Sequence, residues 1–250
     1  MNQITSTSNT LIQKVKSLKD KEARNFSNEF ILEGENIVKD IPDTSLIDYI
    51  FVDQSKIDDF QYILDKYSDK IIYQVPQKVM AVISDTKTPS GILAVSQKPK
   101  YKAGDEKSVV VLDGISDPGN MGTIIRTCVA CGIKDIYAIN TVDAFSPKVV
   151  RSTMGGIFEV NIIPTTYDEL LSKLQGYNLL TLDMNGEDIF EENKVIKPFA
   201  LVVGSEAHGV SQILKDKCTQ ILSLPMSGKI ESLNAAVSLS VALYTLVFSK

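Results

Sequence analysis

Asn120 and Arg126 stand either side of Gly122, the first in a turn that also holds Gly114 and Gly119, the second in the apolar stretch that follows. A turn of that make-up presents backbone N–H groups to a ligand, and an arginine just beyond it supplies a fixed positive charge suited to a phosphate. An ordinary turn followed by a surface or ion-paired arginine has the same composition. A second loop, Gly204-Ser205-Glu206-Ala207-His208-Gly209, sets a carboxylate between glycines that permit close backbone approach. A turn with a capping glutamate reads the same way. A third loop, 224–234, ends in Ser232-Leu233-Asn234, hydroxyl and amide groups able to complete a hydrogen-bond network, although serine in that place is also a common helix N-cap.

Other chemistries are excluded by count. His208 is the only histidine, so no multi-histidine metal site is available, and no metal is expected. Cys128, Cys131 and Cys218 are an odd number, which argues against a disulfide framework and fits a reducing compartment. Cys128 and Cys131 fall inside an apolar helical pattern with no second pair to complete a zinc site, and read as core.

The three loops follow short apolar runs. Runs at 109–112, 136–139, 159–163, 179–182, 200–203 and 220–224 suit strands of a mostly parallel sheet, buried on both faces, with helices between them. Residues 233–248 are apolar on nearly every helical face, so burial within the domain or against a second subunit is expected. Upstream, Leu11, Ile12, Val15 and Leu18 repeat at helical spacing and put Lys14, Lys16, Lys19, Lys21 and Arg24 on the opposite, wet face. Strand-like runs at 30–32, 46–52, 71–75 and 92–95, with a helix-like segment at 55–66, make a smaller α/β domain. The polar stretch 96–107, with Pro99, Gly104 and several lysines, reads as a connection. The expected organisation is therefore 1–95, linker 96–107, and 108–250. Residues 1–10 are polar and no run approaches the roughly 20 uncharged residues of a membrane span, so a cytoplasmic protein with no membrane association is expected.

Together the three loops resemble the signature motifs of the SpoU/TrmH family of RNA ribose methyltransferases, part of the SPOUT superfamily. Asn120 and Arg126 match the N-x-G-x-x-x-R element of the first motif. Gly204, Glu206 and Gly209 match the G-S-E-x-x-G element of the second, and Ser232, Asn234, Ala235 and Ala236 the S-L-N-A/V-A element of the third. Residues 1–95 resemble the RNA substrate-binding domain some members carry, through Glu33-Gly34 and Thr88-Pro89-Ser90-Gly91-Ile92. That domain is similar in fold to ribosomal proteins that bind kinked RNA. The resemblance implies a C-terminal trefoil-knot domain, a homodimer, and S-adenosylmethionine held among the motif loops. By position, Leu182, Gly204, Leu224, Met226, Ser232 and Leu233 would line its pocket. The implied activity is 2′-O-methylation of a ribose in structured RNA, with 23S ribosomal RNA and guanosine favoured and transfer RNA as the alternative substrate.

The resemblance makes Arg126 the catalytic residue. A guanidinium is a poor base unless a phosphate or a second cation perturbs it, so Arg126 is expected to grip a neighbouring RNA phosphate and orient the hydroxyl, the identity of the base being left open. Asn120 would position the ribose or Arg126, Glu206 would hold the loops or the substrate, and Ser232 with Asn234 would complete the network. A net charge of −5 requires that RNA contacts be local, and the cluster from Lys14 to Arg24 is the candidate docking face, a merely solvated face being the other reading. Two rival functions differ in what they need. A nucleotide-binding oxidoreductase or synthase requires an acidic residue near the end of its second strand, where Asn140 stands. A non-catalytic RNA-binding module is disfavoured by the intact motifs.

Overall fold

The computed structural model describes residues 1–100, 108–191, 196–205, 207–228 and 232–248. The first part of the chain runs β1 (Asn2–Gln3), α1 (Thr10–Ser17), α2 (Lys21–Ser27), β2 (Glu29–Glu33), α3 (Glu35–Lys39), β3 (Ile47–Asp53), α4 (Ile57–Lys66), β4 (Ile71–Val75), α5 (Gln77–Ile83) and β5 (Ile92–Gln97). The second runs β6 (Val109–Asp113), α6 (Pro118–Ala130), β7 (Asp135–Ile139), α7 (Pro147–Ser152), β8 (Asn161–Pro164), α8 (Tyr167–Lys173), β9 (Asn178–Asp188), β10 (Phe199–Gly204), α9 (Gln212–Lys215), β11 (Gln220–Ser223) and α10 (Ala235–Phe248). Two compact units result: Met1–Lys100 with Asp143–Phe158, and Tyr101–Val142 with Glu159–Lys250.

In the first unit the sheet order is β1-β4-β3-β5-β2. β3 lies parallel to β4 and antiparallel to β5, which pairs antiparallel with β2. Helix α1 starts where the Asn9 side chain accepts from the Leu11 N–H, and it buries Ile12 and Val15, with Leu18 beyond its end, against Ile31, Phe51 and Leu93. Of the expected linker, Ser96 and Gln97 instead belong to β5, where they pair with Phe30 and Glu29. Residues 101–107 lie outside the described residues.

The second unit is a six-stranded sheet, β11-β9-β10-β6-β7-β8, in which every pairing is parallel. Its central strands β6 and β10 are buried at every position, as a sheet covered on both faces requires. Asp117 caps α6 by accepting from the Asn120 N–H at 2.9 Å, and Pro118 opens the helix with its φ already set. No helix among the described residues is long and apolar enough to cross a membrane.

One segment departs from the expected linear division. Residues 143–158, α7 included, pack with the first unit. Phe145 and Phe158 sit against Phe30 of β2, with ring centroids 5.1 and 5.9 Å apart. Arg151 bonds Glu33 at 3.2 Å and Asp85 at 2.8 Å. An apolar run announces that it will be buried, not which sheet buries it.

Candidate functional site

Two loops of the second unit are joined by side chains. Asn120, in the first turn of α6, accepts at Oδ1 from Asn234 Nδ2 at 2.9 Å. Asn234 Oδ1 in turn accepts from the N–H groups of Ala236 and Val237 at 3.0 and 3.3 Å, so Asn234 rather than Ser232 caps α10. Further along the same helix pair, the Thr127 and Ser240 hydroxyls are 2.8 Å apart. Arg126 projects from the exposed face of α6, and no acidic partner holds its guanidinium among the described residues.

The second loop packs on the first. A Cβ on Gly204, the last residue of β10, would fall 2.0 Å from the Gly209 backbone, so no other residue fits there. Gly209 has a φ of 66° and donates its N–H to the Ser205 carbonyl at 2.8 Å. Asp113, buried at the end of β6, accepts from the Tyr167 hydroxyl at 2.9 Å and from the Ser211 N–H at 2.7 Å. One carboxylate therefore ties β6, α8 and the stretch after β10. Glu206 lies outside the described residues.

A cavity of about 780 Å³ opens beside these loops, walled by Leu182, Leu224, Met226, Ser232 and Leu233, five of the positions expected to hold a cofactor. Gly204 is not part of the wall; its place is in the close loop contact just described. Asp183, Asn185 and Ser223 also line the cavity and were not foreseen. Their signal was positional, because ligands of parallel α/β sheets collect beyond the carboxyl ends of strands, and Asp183 and Asn185 follow directly on the residues of β9 that pair with β10. The Asn185 N–H, and then Lys215 at 3.1 Å, hold the Asp183 carboxyl below its ordinary range. Apolar walls, hydroxyls and one carboxylate at this volume suit a nucleoside-sized ligand with hydroxyl and ammonium groups.

The expected basic face in the first unit is only partly free. Lys16 and Lys21 are exposed, but Lys14 is paired with Glu29 at 2.7 Å, and the Lys19 ammonium donates to the Val82 carbonyl at 2.9 Å and to that of Ser84. Arg24 is buried, its guanidinium bonded to Asp143 at 2.6 and 3.0 Å and to the Leu18 and Lys19 carbonyls. The reading of Arg24 as an RNA contact is therefore corrected. The chain turns between α1 and α2, and that turn carries Arg24 inward. Cys128 and Cys131 are free and buried, and burial pushes both thiols above their ordinary pKa.

The SpoU rRNA Methylase family matches residues 107–244, which include all three loops. The chain belongs to that family. It is accordingly an RNA methyltransferase, and residues 9–94 match the MRM3-like substrate binding domain. Among relatives, the 23S rRNA (guanosine(2553)-2′-O)-methyltransferase RlmP of Bacillus subtilis is 31% identical over 98% of this chain and 99% of its own. A TrmH-family protein from Porphyromonas gingivalis superposes with a TM-score of 0.82 at 28% identity, covering 96% of this chain and 97% of its own. The AdoMet-bound rRNA methyltransferase from Sinorhizobium meliloti has the same fold, with a TM-score of 0.83 at 24% identity over 98% and 97% of the two chains. The α/β fold with its parallel sheet is thus that of SpoU methylases, as the three motifs implied.

Proposed function

We propose that this SpoU methylase transfers a methyl group from S-adenosylmethionine to a ribose 2′-hydroxyl of 23S ribosomal RNA, guanosine being the favoured nucleoside. The observation that carries this reading is the continuity of the third loop. Ser232 and Leu233 wall the 780 Å³ cavity, and the next residue, Asn234, bonds Asn120 at the start of the helix that bears Arg126. Cofactor pocket and substrate-facing residues then move as one body. The match to the Bacillus subtilis enzyme over nearly the whole of both chains supports ribosomal over transfer RNA.

S-adenosylmethionine, when bound, supplies an electrophilic methyl group. The chain's own residues do the rest. Leu182, Leu224, Met226 and Leu233 present the apolar walls that exclude water from the adenosine side, while Ser223, Ser232 and Asp183 offer hydroxyl and carboxylate partners. Arg126, exposed and permanently charged, holds the phosphate next to the target ribose and so aligns the 2′-hydroxyl, a placement worth several kcal/mol. Asn120 keeps the start of α6 against α10 through Asn234. The proton of the hydroxyl passes to an acceptor other than Arg126.

The proposal extends to assembly and place. Val237, Val241, Tyr244 and Phe248 form a stripe on α10 opposite the buried Ala235, Ala236, Leu239, Ala242 and Leu243, and Val237, Tyr244 and Phe248 are 45, 50 and 58% exposed. A second copy covers that stripe, the homodimer acts in the cytoplasm, and its first unit docks RNA through Lys16 and Lys21. Isothermal titration separates this reading from a nucleotide-binding oxidoreductase. Binding of S-adenosylmethionine with no heat from NAD is the expected result; the reverse would remove the methyltransferase assignment for this pocket.

A further inference from the structure

The most solvent-exposed large apolar side chain among the described residues is Phe26, at 96%; the next, Ile196, is 68% exposed. A scattered half-exposed leucine or tyrosine needs no explanation, but an aromatic ring standing almost wholly in water does. It is also held rigidly. Two residues before it, the Arg24 guanidinium bonds Asp143 through Nε and Nη2 and the Leu18 and Lys19 carbonyls through Nη1, at 2.6 to 3.0 Å, which fixes α2 in place. Immediately before it, Asn25 Oδ1 accepts from Lys98 Nζ at 2.9 Å. Lys98 is in turn seated over the Phe145 ring at 5.0 Å.

Cations lie on and next to the helix that carries the ring. Burial lowers the Lys98 pKa, against the pull of Asp143, and like-charge repulsion from Arg24 and Lys21 lowers it further, so these charges share one neighbourhood. Asp143 pairs with Arg24, while Asp20 and Glu22 flank Lys21 along the chain, which leaves Lys21 as the exposed cation of α2. A planar apolar ring on a fixed helix that also carries an exposed lysine offers single-stranded RNA two points of attachment, base on ring and phosphate on lysine.

We propose that Phe26 is a base-stacking residue of the RNA-docking face, receiving an unpaired nucleobase of the substrate while Lys21 meets the adjoining phosphate. The assignment rests on the reading of the chain as an RNA methyltransferase but can fail while that reading stands. The sequence has no tryptophan, so Phe26→Trp in the full chain makes the only indole a reporter of this spot. Titration with a 23S rRNA transcript should quench its emission at the concentration where methylation half-saturates. Phe26→Ala should raise KM for the transcript about tenfold with kcat and S-adenosylmethionine affinity unchanged, and Phe26→Tyr should restore it. The Ala penalty should hold constant as salt rises, because stacking releases no counterions, whereas Lys21→Gln should flatten the salt dependence. An indole that saturating transcript leaves unquenched, or a Phe26→Ala enzyme with native KM, overturns the proposal. So does a Phe26→Ala chain whose mass in light scattering falls by half, since Phe26 would then be an interface between copies.

Discussion

Arg126 carries the chemistry in this account, and its exposure, with no carboxylate on its guanidinium among the described residues, separates its role from that of the pocket. Arg126→Ala should abolish methyl transfer while leaving the dissociation constant for S-adenosylmethionine within about threefold, since the residue acts on the RNA side. Turnover near the native rate in a single-turnover assay would move the catalytic assignment elsewhere. Gly204→Ala makes a different kind of demand. Its Cβ would meet the Gly209 backbone at 2.0 Å, so the second loop must shift, and a loss of roughly 2 kcal/mol or more in denaturant unfolding is expected, together with a loss of activity. Native stability in that variant would show that the loop is more adaptable than its packing implies. The buried thiols of Cys128 and Cys131 should resist a disulfide reagent at pH 8 and react only after unfolding; prompt labelling of either would mean that α6 opens. At this scale the sequence was informative about identity and less so about attachment. Asn120, Ser232 and Asn234 were recognisable by type and spacing, but the bond from Asn234 to Asn120 joins residues that only the fold brings together. The helix cap belongs to Asn234 because α10 begins later than its apolar pattern does.

Among the elements, α1 and α2 show where periodicity misleads. Ile12, Val15 and Leu18 are buried as their spacing requires, yet the basic residues around them do not share one wet face. Nothing local could reveal that Arg24 meets Asp143, a partner 119 residues away. The test of RNA docking must be designed accordingly. Lys16→Glu with Lys21→Glu should weaken binding to the 23S transcript and reduce the slope of log affinity against log salt by roughly one per lysine, with an unchanged melting temperature. An unaltered slope would show these lysines to be merely solvated. Arg24→Ala should instead destabilise the first unit by about 3 kcal/mol, because Asp143 loses its cation in a partly buried setting. Strands were easier to read than their neighbours. The β-branched runs of β5, β6 and β10 mark themselves, while β1 is a two-residue edge strand with no apolar signature, and α7 gives no sign of which unit it will join.

For the whole molecule, the motifs made the family legible because their order and separation are as specific as their residues. The interrupted division into units was not legible, since 143–158 look like any other amphipathic segment until Phe145 and Phe158 are seen against Phe30. The apolar stripe of α10 should be covered by a second copy. Light scattering at micromolar concentration should give twice the chain mass, and Val241→Glu with Tyr244→Glu should halve it; a native chain that stays monomeric would leave that stripe without its proposed partner. The central claim is tested most directly by incubating the purified chain with methyl-labelled S-adenosylmethionine and unmodified 23S rRNA, then digesting the RNA in alkali. The account predicts label in an alkali-resistant dinucleotide, with guanosine as the methylated member, and no label when Arg126→Ala replaces the native chain. Label on a base, label in transfer RNA alone, or equal transfer by the Arg126→Ala chain would contradict it.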